Sequence, residues 1–169
     1  MRPGPPDRAQ PPDRAQPPEG QLADDVTAVT NLLYRYAELM DAGRFEDLEA
    51  ELFARARFTV APPPAAPIDG SAMAALIIAT TIRHADGTPR TRHVITNPIV
   101  EIDRSAGTAT CRSCYTVFQQ TDRLPLQPIA AGRYHDRFAR SNGGWHFTER
   151  DYTMLDMIGD VSQHLRPFR

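Results

Sequence analysis

Asp41 and His93 are the two residues whose types and settings point most directly to chemistry. Asp41 closes the helix-period stretch Tyr36-Ala-Glu-Leu-Met-Asp41 and is followed by Ala42 and Gly43; His93 lies in the strand-like run Arg90-Thr-Arg-His93-Val-Ile-Thr-Asn97. A carboxylate bonded to one nitrogen of an imidazole fixes its tautomer and stabilises its protonated form, which leaves the other nitrogen as a base near neutral pH. An acid at a helix end meets an imidazole on a strand only across a folded interior. The pair therefore predicts an acid/base catalyst that needs no cofactor, provided the elements between them supply the geometry. Taken singly, each has a plainer explanation: a solvated surface carboxylate for Asp41, and a satisfied core or edge histidine for His93, which shares a strand face with Ile95, Asn97 and Ile99.

Several other chemistries are closed or poorly supported. All 19 basic residues are arginine, so a Schiff base, a pyridoxal phosphate anchor and a Walker-type phosphate loop each lack their lysine. The five serines lie outside any G-x-S-x-G turn. His84, His135, His146 and His164 show no metal-motif spacing, so neither a metal nor another cofactor is expected. Cys111 and Cys114 are spaced C-x-x-C, but on a strand they point to opposite faces, so two buried, reduced thiols are expected rather than a redox or metal half-site. A net charge of −2 with interspersed signs argues against a nucleic-acid surface. The longest apolar run, Ala74 to Ala79, is far short of the ~20 residues of a membrane span. The opening residues carry no apolar stretch of the kind a secretory signal needs, and a cytoplasmic location is expected.

The elements that must position the pair follow from periodicity. Residues 1–21 are rich in proline, with Pro-Pro-Asp-Arg-Ala-Gln repeated in tandem, and read as a disordered tail ahead of a single domain over 22–169. Val26, Val29, Leu33, Tyr36 and Met40 form one helical stripe, with Asp24 or Asp25 as a cap and Gly43 at the left-handed position beyond its end. A short helix over about Phe45 to Leu52 and a third over Ser71 to Arg83 follow, with a brief strand, Arg57 to Val60, between them. Four long strands come next, roughly Thr91–Ile102, Thr108–Thr121, Ile129–Ser141 and Trp145–Met154, separated by short turns. The order predicts an α+β domain: three N-terminal helices packed on a strongly curved, mainly antiparallel sheet that forms a cone-shaped cavity. Aromatic residues on the strands supply the core. Phe58, Tyr115 and Tyr134 are candidates to line a pocket for a hydrophobic ligand whose carbonyl a tyrosine hydroxyl would polarise.

Five short motifs, in order, resemble the SnoaL-like branch of the nuclear transport factor 2-like superfamily over about residues 22–155. They are Tyr36…Asp41-Ala-Gly, Leu52-Phe53, Arg92-His93-Val94, Gly132-Arg-Tyr134 and Gly144-Trp-His-Phe147…Arg150. Within it the chain is most similar to the scytalone dehydratase and bile-acid 7α-dehydratase group. That resemblance implies dyad roles for Asp41 and His93, with Tyr36 as the neighbouring helix tyrosine. It departs from scytalone dehydratase on the next strand, where a second pocket histidine is replaced by the stretch Cys111 to Thr116. The implied activity is a dehydratase or cyclase acting on a hydrophobic carbonyl compound of secondary metabolism. An isomerase of the same fold and a non-catalytic binding or structural subunit remain alternatives. A homodimer or homotrimer is implied as well.

Overall fold

The computed structural model describes residues 19–142 and 144–166. Most of the expected Pro-rich tail lies outside the described residues. Helix α1 runs from Glu19 to Asp41 and buries Val29, Leu33, Tyr36 and Met40 on one side, as the stripe requires. Because α1 already begins at Glu19, neither Asp24 nor Asp25 is its cap. Asp25 is instead buried in mid-helix, where its Oδ1 accepts from Arg140 Nη1 and Trp145 Nε1, both at 3.0 Å. That contact ties the helix to the far end of the sheet.

The exit from α1 decides where Asp41 points. Gly43 has φ +69°, and Arg44 N donates to Leu39 O at 2.9 Å, the left-handed ending that glycine adopts without strain. A Cβ on Gly43 would lie 2.2 Å from Gly87 O, so the turn is also a close backbone crossing. Gly43→Ala is expected to destabilise the domain by about 2–4 kcal/mol, through left-handed strain and backbone displacement together. A urea midpoint unchanged from wild type would refute this.

After Gly43 a π-helical turn, Glu49–Phe53, buries Leu52 and Phe53. Strands β1 (Arg57–Thr59) and β2 (Ile68–Asp69) lead into helix α2 (Gly70–Thr80), capped by Asp69, whose Oδ1 accepts from Ala72 N at 2.9 Å. The helix stops three residues before the expected Arg83, because Thr81 turns extended and pairs with Leu165. That partner comes from the far end of the chain, beyond the reach of local periodicity.

The long strands are β3 (Thr91–Asp103), β4 (Thr108–Gln119), β5 (Gln127–Ser141) and β6 (Gly144–Asp151), followed by β7 (Leu155–Ile158). They form one sheet in the order β2-β1-β6-β5-β4-β3, with β7 also on β5. All pairings are antiparallel except β1 on β6. The register breaks between Thr96 and Ile99, Val117 and Phe118, Arg137 and Phe138, and Ala131 and Gly132. Each such irregularity bends a strand and increases its twist, which curves the sheet over α1. The sheet stays unclosed, with α1 packed on β3 and β6.

Two local expectations change. The break in β3 centres on Asn97, which has φ +53°; Ile99 is 53% exposed and lies on the opposite face from His93. Cys111 is buried but Cys114 is exposed, and both are free thiols; alternation on β4 separates them. Among the described residues no helix is long and apolar enough to cross a membrane.

Candidate active site

The Asp41 carboxylate accepts three hydrogen bonds, all from the first three residues of β3. Thr91 Oγ1 donates to Oδ1 at 2.8 Å, the His93 backbone N–H to Oδ2 at 2.8 Å, and His93 Nδ1 to Oδ1 at 2.6 Å. A negative charge is disfavoured at a helix C-terminus; here the strand's donors offset that. Burial pushes the Asp41 carboxyl upward, but the bond from the His93 ring, its charge, its backbone N–H and the Thr91 hydroxyl outweigh burial. They hold Asp41 below the ordinary carboxylate value. The carboxylate is therefore ionised at neutral pH. With Nδ1–H given to Asp41, the free acceptor position of a neutral His93 ring is Nε2.

Both side chains are nearly shut from solvent, His93 at 4% and Asp41 at 7% exposure. Tyr36, five residues before Asp41 on α1, sets its ring edge-on to the His93 ring with centroids 6.0 Å apart. Tyr134 and Tyr152 approach Tyr36 at 6.1 and 6.5 Å. Tyr115 stacks on Tyr134 at 4.3 Å, and Phe58 reaches the group through Tyr152 at 6.1 Å. All six residues singled out from the sequence thus belong to one cluster on the concave side of the sheet. Burial pushes the Tyr36, Tyr134 and Tyr152 phenols well above their usual value, against the opposing charge of Arg150. They are permanent O–H donors.

The centre of the cluster is a pair of charges to which sequence reasoning gave no role, Arg150 entering it only as a motif position. Arg150, 1% exposed, binds Asp136 through Nε and Nη2 at 2.7 and 2.9 Å. Its Cζ lies 4.4 Å from the Tyr36 ring centroid and 4.2 Å from that of Tyr134. Burial pulls the guanidinium down, but Asp136 more than compensates and keeps Arg150 charged. The third nitrogen, Nη1, and the Tyr152 hydroxyl are both buried without a hydrogen bond of good geometry, although Tyr152 interacts with Arg150 and Tyr36. Asp136 keeps the phase of Tyr134 and Phe138 on β5, a usable signal. Arg150 is out of phase with Phe147, because the register break opposite Arg137 and Phe138 inserts an extra residue into β6.

A groove of about 310 Å³ reaches Asp41 from outside, lined also by Thr91, Arg92, Phe118 and Gln119. Among the described residues no three His, Cys, Asp or Glu side chains stand close enough to share a metal ion.

Comparison with known proteins matches this geometry at the level of the fold. An NTF2-like protein with a cystatin-like fold from Novosphingobium aromaticivorans superposes with a TM-score of 0.64 at 23% identity, covering 85% of this chain and 88% of that one. A protein from the same organism, provisionally described as a scytalone dehydratase, gives 0.62 at 21% identity over 83% and 89% of the two chains. A provisionally described β subunit of an aromatic-ring-hydroxylating dioxygenase, again from that organism, gives 0.62 at 18% over 86% and 98%. No curated protein matches the sequence. The model of the SnoaL-like domain matches residues 21–151, and the chain belongs to that family, within the NTF2-like superfamily.

Proposed function

We propose that the domain is a cofactor-independent acid/base lyase, a dehydratase or cyclase, acting on a hydrophobic small molecule that carries a carbonyl group. The observation that supports this best is the 2.6 Å contact of His93 Nδ1 with Asp41 Oδ1 beside three buried phenols. In a dehydration, His93 Nε2 takes the proton from the carbon next to the carbonyl, and the electron pair moves onto the carbonyl oxygen. The phenol O–H groups of Tyr36 or Tyr134 stabilise that oxyanion, with the Arg150 charge behind them. The enolate then expels the β-hydroxyl, which takes the proton from the imidazolium and leaves as water. Asp41 remains ionised throughout and holds the ring. An isomerase uses the same atoms but returns the proton to a different carbon.

A non-catalytic binding or structural subunit is the second reading. The near-complete cover of both dyad side chains favours it. Incubation with aromatic and polycyclic β-hydroxy ketones, followed by mass spectrometry for loss of one water, separates the two. Conversion by wild type that disappears in His93→Ala supports the lyase; no conversion, or equal conversion by both, rejects it.

Self-association is part of the same proposal. Ile99, Leu155, Met157 and Ile158 are 46–67% exposed, an apolar set suited to a second or third copy. Sedimentation at micromolar concentration is expected to give a dimer or trimer mass, and a monomer would refute it.

A further inference from the structure

Among the described residues, positive φ falls on four glycines, on Asn97 and on Arg90, at +54°. A β-carbon disfavours that region; asparagine tolerates it through local hydrogen bonding, and arginine has no such compensation. A fold keeps such a residue only where its surroundings hold it there.

Arg90 is held at both ends and along its side chain. Its backbone N–H donates to Thr88 Oγ1 at 3.2 Å, and its carbonyl accepts from Gln120 N at 3.3 Å. Nε donates to Asp86 Oδ2 at 3.0 Å and Nη1 to Asp122 Oδ1 at 3.1 Å. The Asp122 side chain is 92% exposed, so that pair contributes little. Asp86 is the firmer partner, because its Oδ1 also accepts the Thr88 N–H at 3.0 Å and the Thr88 hydroxyl at 2.9 Å. Asp86, Thr88 and Arg90 thus close one ring of hydrogen bonds around the turn.

That turn joins the two carriers of the dyad. On one side, the Gly87 carbonyl passes so near Gly43, two residues after Asp41, that a Cβ there would lie 2.2 Å from it. On the other, Thr91 and His93 supply all three hydrogen bonds to the Asp41 carboxylate. Bringing φ of Arg90 to the ordinary negative range takes a rotation of more than about 100°, which would redirect β3 relative to the loop that crosses Gly43. The turn at residue 90 therefore decides where Thr91 and His93 point.

We propose that Arg90 is a positioning residue for the dyad: gripped by Asp86, it holds a left-handed turn that aims Thr91 and His93 at Asp41. It acts through the backbone and takes no part in proton transfer. The aim is a property of the folded chain; only its value for turnover rests on the acid/base reading.

Arg90→Gly and Arg90→Ala test it on the full chain, because both remove the guanidinium but only alanine keeps the β-carbon that opposes the turn. Hydrogen exchange is read by NMR at the His93 backbone N–H and at the low-field His93 Nδ1–H, the two donors that meet Asp41. Exchange at both is expected to be about 5–30-fold faster in Arg90→Ala than in Arg90→Gly, the population ratio to which the left-handed penalty on a β-carbon corresponds. Amides of β4 and β5 should exchange alike in the two. Equal rates at His93 in both variants, faster exchange in Arg90→Gly, or a rise shared by β4 and β5 overturns the proposal. Asp86→Ala loosens the grip with residue 90 unchanged and serves should Arg90→Ala fold poorly. Its His93 exchange should rise likewise and fall again when Arg90→Gly is added; a wild-type rate, or no fall in the double variant, overturns the proposal. No turnover is measured, so loss of the lyase reading and loss of the positioning role remain separate results.

Discussion

Turnover is expected to fall by about 10²–10⁴-fold when His93 is replaced by alanine, the usual contribution of a positioned acid/base group. The fold should survive, because Asp41 keeps the Thr91 hydroxyl at 2.8 Å and the backbone N–H of residue 93, which alanine retains. Asp41→Asn is the sharper experiment. An asparagine can turn its amide N–H toward His93 Nδ1, which then accepts, and the ring proton moves to Nε2. The base is lost while the contact is kept. Its effect should approach that of His93→Ala, with KM little changed and kcat carrying the loss. Tyr36→Phe removes one phenol from a group of three and should do less. Wild-type kcat in Asp41→Asn would show that the pair is structural.

The largest stability effect is expected at Arg150. Arg150→Met leaves the Asp136 carboxylate fully buried without its bidentate partner, a change that costs about 3–5 kcal/mol. It also removes a cation packed 4.2–4.8 Å from the rings of Tyr36, Tyr134 and Phe147. Burial already raises the Asp136 carboxyl, against Arg150. Without that partner the folded state favours the protonated acid more than the unfolded state does. Stability of Arg150→Met should therefore recover as pH falls toward the carboxylate range, the opposite of an ordinary paired aspartate. Adding Asp136→Leu should restore most of the loss at neutral pH, since the orphaned charge is gone. Urea midpoints of the two single variants and the double variant at pH 7 and 5 check both claims. A double variant no more stable than Arg150→Met would mean that the rings depend on the cation itself.

The helix stripe of α1, the left-handed Gly43 and the four long alternating strands were legible because each is a local pattern. Asp41 and His93 were legible for a different reason. An acid at a helix end and a histidine among apolar strand positions are both out of place, and a fold keeps such residues only where partners exist. What escaped has a common cause. Asp25 looked like a cap because its partners, Arg140 and Trp145, lie more than a hundred residues away. Arg150 was hidden by the extra residue in β6, and the same kind of irregularity at Asn97 turned Ile99 to the outside.

By itself, then, the sequence determined the two long helices, the four long strands, their order, the family and the two side chains proposed as a dyad, but not β2 or β7, since side-chain type and spacing over one or two turns suffice only for the longer elements. Only the tertiary structure decided that His93 Nδ1 stands 2.6 Å from Asp41 and that a buried arginine rather than open space occupies the middle of the tyrosines. Each of these depends on register shifts and on contacts between residues distant in sequence. The energies involved are those of burial and pairing, and they exist only once the sheet has curved over α1.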